Sequence, residues 1–189
     1  ATGAEPWAEF REHFYYSNVM YVAAGTAIAE AADSSWDELV EDRILDPLGL
    51  DDTTASSVEA IADDELATGY SWDVDLEEYE ALDFRPTDNI CPAGCLTSTV
   101  LDMADWLRFQ LGRGEIDGLR AVSEEQLEET WTEHVAIGGN ISYGLGWILS
   151  DWQGEPQVAH GGNIHGFSAQ VAMLPESNLG FVMLTNVSL

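Results

Sequence analysis

Helical spacing fills the first two-thirds of this chain and strand spacing fills the last third. That order restricts the fold more than any other feature. Tyr143 to Ser150, Val158 to Gly161, Gly166 to Leu174 and Gly180 to Val187 read as strands. Pro175-Glu176-Ser177-Asn178 lies between the last two and predicts an antiparallel hairpin. Phe181-Val182-Met183-Leu184 is apolar on both faces, as in a strand whose sheet is covered on both sides. Helices precede these strands and nothing follows Leu189. Either those helices cover both faces or a covering element is missing. The expected class is α+β: a mainly helical lobe over residues 1–135, packed on an antiparallel sheet of about three to four strands over residues 136–189.

Val19 to Ala32 is small, apolar and alanine-rich, which suits a tightly packed buried helix. Ser35-Trp36-Asp37-Glu38 is a capping box. It opens a helix with Trp36, Leu39, Val40 and Ile44 on one face, and Pro47 and Gly49 are expected to end it. Residues 51–95 read as irregular, punctuated by Gly69, Pro86 and Pro92. Thr99 to Leu111 is a second amphipathic helix, with Val100, Met103, Ala104, Leu107 and Leu111 on its stripe. Ser123-Glu124-Glu125-Gln126 caps a third that includes Leu127 and Trp131. Repeats and low-complexity linkers are absent.

The chain of 189 residues is 46% apolar and 10% aromatic, which excludes intrinsic disorder. It carries 35 acidic residues against 6 basic ones, a formal net charge of −29. All the basic residues are arginine; there is no lysine. A duplex-binding surface needs clustered cations, so a nucleic-acid partner is excluded. The same charge repels an anionic membrane surface. The longest apolar stretch, Val19 to Ala29, is too short for a membrane span. The acids are scattered (Asp33, Asp37, Glu38, Glu41, Asp42; Glu124, Glu125, Glu128, Glu129). They read as a solvated, halophile-type surface rather than a cation site. Asp73-Val74-Asp75 is too little for a calcium loop. The chain starts at Ala1, without methionine and without a basic and apolar leader, as a processed or excised piece would.

Four places carry residues suited to chemistry. At Tyr16-Ser17-Asn18, the tyrosine is a general base only if a cation lowers its pKa from about 10. Spacing alone favours a helix cap by Ser17 or Asn18 with Tyr16 packed beside it. At His160-Gly161-Gly162-Asn163, two glycines on a predicted strand let a ligand backbone approach. Their amides could face an oxyanion, with His160 as proton carrier or hydrogen-bond donor. A strand ending in a glycine bulge accounts for the segment equally well. Cys91 and Cys95 lack the second pair that a structural zinc needs, and a disulfide across so tight a loop would be strained. Two free, partly buried thiols are expected. His13, His134, His160 and His165 have no carboxylate to complete a metal motif. No metal and no cofactor are expected.

Taken together, these segments resemble the serine β-lactamase and penicillin-binding-protein superfamily. The likeness is to the class C β-lactamase-like branch, which includes esterases and D-amino-acid peptidases. Tyr15 to Gly25 is similar to the family's Y-S-N segment, and Arg43 to Leu50 with Asp52-Thr53-Thr54 to its "ILxPLGM" helix end. Pro92 to Thr99 with Asp102-Met103-Ala104 resembles "PAGGLxST…DMA", with Cys95 replacing a glycine. Tyr143 to Trp147, His160 to Gly162, Gly166 to Ser168 and Leu184 to Asn186 follow in family order.

The resemblance implies a β-lactamase/transpeptidase-like fold. It also implies an acyl-enzyme mechanism built from S-x-x-K, Y-x-N and a K-T-G-type strand. Carried over, Tyr16 matches the base and Asn18 the amide that contacts substrate and lysine. His160-Gly161-Gly162 stands at the K-T-G position, and the Asn163 amide would be the strand's share of the oxyanion hole. The implied substrate is a small molecule or peptide bearing an amide or ester. Without lysine, no S-x-x-K exists within the chain. In the family that motif precedes Y-S-N. The family's first strands and terminal covering helix are missing as well. The expectation is therefore an incomplete domain: the C-terminal portion of a longer serine hydrolase, inactive alone. A non-catalytic binding module that kept the fold is the rival. Family likeness implies an extracellular or cell-surface place, whereas the acidity suits a salt-filled cytosol equally. A homo-oligomer through the uncovered sheet face is the remaining partner expectation. All of this requires Tyr16 and His160 to lie side by side.

Overall fold

The computed structural model describes Glu5 and residues 8–188. Helix α1 (Asn18–Ala32) ends at Asp33, whose left-handed backbone (φ 53°) sends its N–H back to the Ala29 and Glu30 carbonyls. The Ser35 capping box forms: the Ser35 hydroxyl accepts from the Glu38 N–H, and the Glu38 carboxylate accepts from the Ser35 N–H. It opens α2 (Trp36–Val40), which continues through a π-helical stretch (Glu41–Leu45) into α3 (Asp46–Leu48). Pro47 thus lies inside the last turn and does not end the helix; the widened turn before it accommodates its ring. Gly49, at φ 66°, ends the run.

Residues 51–95 are more regular than expected. They contain α4 (Ser57–Ala62), a hairpin of β1 (Gly69–Asp73) and β2 (Glu78–Leu82), and the short α5 (Cys91–Gly94). The hairpin escaped notice because β2 is charged and almost wholly exposed, so no apolar alternation marks it. Its turn is built by the Asp73 carboxylate, which accepts from the Asp75 and Leu76 N–H groups at 2.8 and 2.9 Å. The free-thiol expectation is corrected here: Cys91 and Cys95 form a disulfide with Cα atoms 4.5 Å apart. One helical turn brings the two close, and Gly94, at φ 153°, bends the chain as L residues rarely do.

Thr99 caps α6 (Val100–Leu111), which leads through the small hairpin β3 (Glu115–Ile116) and β4 (Leu119–Arg120) to α7 (Glu124–Thr130). The remaining strands are β5 (Val135–Gly138), β6 (Ile141–Tyr143), β7 (Ile148–Trp152), β8 (Glu155–Ile164), β9 (Phe167–Leu174) and β10 (Leu179–Thr185). They form one antiparallel sheet in the order β10-β9-β8-β7-β6-β5. A last strand, β11 (Val187–Ser188), pairs parallel to β1 beside it. The class is α+β as expected, but the main sheet has six strands rather than three or four. The single strand expected from Tyr143 to Ser150 is two, parted by Gly144–Trp147, where the Gly144 N–H closes on the Trp147 carbonyl at 2.8 Å. The hairpin at Pro175 is present, with Asn178 left-handed.

Helix α6 lies on the sheet through Leu107, which packs with Val158 and with Met173, only 1% exposed. Val182 of β10 turns toward this core, while its neighbours Phe181 and Met183 are 53% and 46% exposed. The strand that is apolar on both faces is therefore covered on one. The alanine-rich helix is not buried either: in α1 only Gly25 and Ala29 are, and Val19, Met20 and Ile28 face outward. The close approach of α1 to α5 rests on Gly25, where an added Cβ would stand 2.4 Å from the Pro92 Cβ. Gly25→Ala should cost about 2 kcal/mol through overpacking, read as a lower denaturant midpoint. An unchanged midpoint would show that the contact yields freely.

Candidate active site

One cavity of about 620 Å³ lies between the helical lobe and the sheet. Tyr16 and Asn18 enter it from the start of α1, and His160, Gly161, Gly162 and Asn163 from β8. The six residues carried over from the family resemblance therefore line the same space. The rings of Tyr16 and His160 are 6.0 Å apart, so the requirement that they lie side by side is met. Ser17 occupies the cap position of α1, yet its side chain makes no capping hydrogen bond. Helix capping does not account for Tyr16-Ser17-Asn18.

The glycine-bulge reading of residues 160–163 also fails. Strand β8 keeps regular antiparallel register with β9 from Val158↔Met173 to Ile164↔Phe167. On its other side β7 stops at Ile148↔Ala159, so the edge from His160 to Ile164 has no strand partner. A Cβ added at Gly161 would stand 2.7 Å from Gln170 Oε1, the end of a side chain that would have to swing aside. Gly162 differs: a Cβ there would meet nothing within 4 Å, and its backbone needs no positive φ. Its smallness keeps space open on the cavity side. The Asn163 Oδ1 accepts from the Ser168 hydroxyl on the facing strand, which holds the side chain in place.

His160 is held at both ring nitrogens. Nδ1 lies 2.7 Å from the Gly161 carbonyl oxygen and Nε2 lies 3.2 Å from the Tyr143 hydroxyl. The Tyr21 hydroxyl donates in turn to that of Tyr143 at 3.3 Å. Burial, followed by the neighbouring phenols of Tyr21 and Tyr16, pushes the Tyr143 phenol far above the ordinary tyrosine range. Tyr143 and Tyr21 are the functional candidates that sequence reasoning missed. Tyr143 stands in the Tyr143-Gly144-Leu145-Gly146-Trp147 segment, which reads as a strand start and a family match and gives its hydroxyl no role.

The other histidines do not gather around His160. His134 reaches Glu129 and His13 lies near Glu12, both outside the cavity. His165 lines the cavity, and its Nδ1 accepts from the Arg85 N–H at 3.4 Å. Among the described residues, no group of three or more His, Cys, Asp and Glu side chains could hold a metal ion. Among the described residues, no carboxylate lines the cavity, although 35 of the 189 residues of the chain are acidic. The site is a mildly polar, carboxylate-free pocket inside a strongly anionic chain. Its far wall includes Thr87, Ile90 and the turn from Ala93 to Ser98, the part that the disulfide closes. Among the described residues, no helix is long and apolar enough to cross a membrane.

Comparison with known proteins relates the chain to hydrolases and penicillin-binding-protein homologues. The chain is 30% identical over 183 residues to "Unguisins hydrolase ungD'" of Aspergillus campestris, covering 94% of the chain and 34% of that protein. It superposes on the octameric penicillin-binding protein homologue from Pyrococcus abyssi with a TM-score of 0.83 and 29% identity, covering 96% of the chain and 40% of that one. A D-stereospecific amidohydrolase from Streptomyces sp. gives 0.78 and 25%, covering 93% and 51%. The chain spans about a third to a half of the length of these proteins. The family pattern described as Beta-lactamase runs from residue 2 to residue 188, and with nearly its whole length so matched the chain belongs to the Beta-lactamase family.

Proposed function

We propose that this chain is the proton-handling and substrate-aligning part of an acyl-transferring serine hydrolase. Its substrate is an amide or ester, and its Ser-x-x-Lys nucleophile lies on a segment ahead of residue 1. The observation that carries this reading is the meeting of Tyr16, Asn18 and the open edge of β8 at one cavity, with the Tyr16 and His160 rings 6.0 Å apart. In the proposed reaction the serine oxygen bonds to the substrate's carbonyl carbon. Tyr16 takes the hydroxyl proton and passes it to the departing nitrogen or oxygen as that bond breaks. Water then releases the acyl group by the reverse relay. A peptide-like substrate would pair its main chain along His160 to Ile164, and Gly162 leaves room for it.

The outward-facing Val19, Met20 and Ile28 on α1, and Phe181 and Met183 on β10, support the same reading. Such faces suit burial by further segments of a longer protein. In this chain Tyr16 has no lysine beside it, and His160, whose ring nitrogens are both engaged within the chain, is no substitute. The isolated chain is therefore inert.

The test is intact-mass analysis after incubation with a labelled penicillin, alongside turnover of D-amino-acid amides and small esters. The isolated chain should form no adduct and the intact parent should turn over at least one substrate. A stoichiometric adduct on residues 1–189 alone would refute the placement of the nucleophile. The lack of lysine favours one other reading, a ligand-binding module without chemistry; binding by the intact parent without acylation or turnover would select it. Gly162→Val separates a site from mere packing. Stability should stay within about 0.5 kcal/mol of wild type. Parent turnover should fall on the order of 10²-fold, because the added side chain displaces substrate from its reacting position.

A further inference from the structure

His160 has no ring nitrogen to spare for a substrate. Its Nδ1 is 2.7 Å from the Gly161 carbonyl oxygen, which can only accept, so Nδ1 carries the hydrogen. Nε2 then faces the Tyr143 hydroxyl at 3.2 Å. The Tyr143 oxygen already receives the Tyr21 hydroxyl at 3.3 Å, which leaves its own hydrogen to point at Nε2. Phe14 packs against the Tyr143 ring at 5.1 Å, and Tyr143 is only 6% exposed, so the phenol has no other position to take. We propose that Tyr143 is a positioning residue that occupies Nε2 of His160 and, together with the Gly161 carbonyl on Nδ1, holds the ring as the Nδ1–H tautomer, and that His160 serves as a strut for the Gly161 carbonyl at the open edge of β8 rather than as a proton carrier. The phenol is suited to this because it stays protonated: burial first, then the phenols of Tyr21 and Tyr16, hold its ionisation far above the ordinary range.

The assignment gives the two aromatic hydroxyls near His160 opposite duties. Tyr16, 48% exposed, remains open to the cavity and to whatever binds there. Tyr143 is closed off from it and fixes the ring. The catalytic meaning of this division rests on the acyl-transfer reading above. The tautomer itself does not, since it is set by contacts within the chain.

The experiment is two-bond ¹H–¹⁵N correlation of the histidine rings in the longest natural chain that carries these residues, without substrate. His160→Gln identifies the His160 signals. Wild type should show His160 protonated on Nδ1, the minor form of free imidazole. Tyr143→Phe, which frees Nε2 but leaves the Gly161 carbonyl on Nδ1, should keep Nδ1–H and move the Nε2 resonance, while Tyr21→Phe, which removes only the outer link, should leave both nitrogens as in wild type. A wild-type His160 protonated on Nε2 overturns the proposal whatever the variants do. So does a folded Tyr143→Phe protein whose Nε2 resonance is unchanged. An Nδ1–H ring in a protein that never acylates would sink the functional reading alone; an Nε2–H ring in an acylating one would sink this inference alone.

Discussion

Turnover of the intact parent should fall about 10²–10⁴-fold when Tyr16 is replaced by phenylalanine, the usual range for loss of a positioned acid–base group. The variant keeps the ring that packs 6.0 Å from His160 and 6.3 Å from Tyr143, so the cavity wall and substrate affinity should be retained. The loss should therefore fall on kcat with KM nearly unchanged, as expected for an interaction made only in the transition state. The comparison with His160 is the informative one. If Tyr16 alone handles the proton, His160→Gln, which offers an amide in place of the ring, should cost far less than Tyr16→Phe. The reverse ranking would move the proton relay to the imidazole. Equal activity of Tyr16→Phe and wild type would remove Tyr16 from the chemistry altogether.

Where apolar period and cap chemistry coincide, the sequence was sufficient. Ser35 with Glu38, Thr99 with the stripe ending at Leu111, and Ser123 with Leu127 each mark a helix that the structure contains. The same holds for the turn at Pro175. Local pattern failed where the deciding contact is distant. Nothing in Glu78-Tyr79-Glu80-Ala81-Leu82 announces a strand, because its partners are β1 and solvent rather than the core. The apolarity of Val19 to Ala32 promised burial, but the described chain places little against most of that helix. Spacing could not foresee the Cys91–Cys95 bridge, which depends on the conformation of Gly94. At the site, residue types were legible one by one at Tyr16, Asn18 and His160. Their gathering depends on the β8–β9 register and on the entry of α1, which no local spacing encodes. Tyr143 went unassigned because its partner lies 17 residues away, on a strand two places along the sheet.

Asp88→Ala should destabilise the fold by about 2 kcal/mol, because it strips the acceptor from the donors of Ser57, a residue closed to water. The Asp88 carboxylate accepts from the Ser57 hydroxyl, from the Ser56 hydroxyl at 2.9 Å and from the Ser57 N–H at 3.1 Å. Ser57 is fully buried, and its oxygen in turn accepts from the Thr87 N–H at 2.7 Å. Thr87 and Ile90 belong to the far wall of the cavity, so this knot of hydrogen bonds carries the fold's stability into the shape of the site. The hydrogen bond from Ser57, above all, holds the Asp88 carboxyl below the ordinary carboxylate range. A carboxyl depressed in the folded state stabilises fully above its unfolded pKa of about 4, and that share is lost as pH falls through the lower folded value. The gap between wild type and Asp88→Ala, measured by denaturant unfolding, should therefore be widest near neutrality and narrow in acid. It should not close. Asp88 itself is exposed, so solvent screening keeps the ionic share small, and the buried Ser57 donors account for most of the loss at any pH. A gap that stays constant down to acid pH would mean that the carboxylate charge contributes nothing to holding this wall. A gap near zero at neutrality would mean that Ser57 finds another partner once Asp88 is gone.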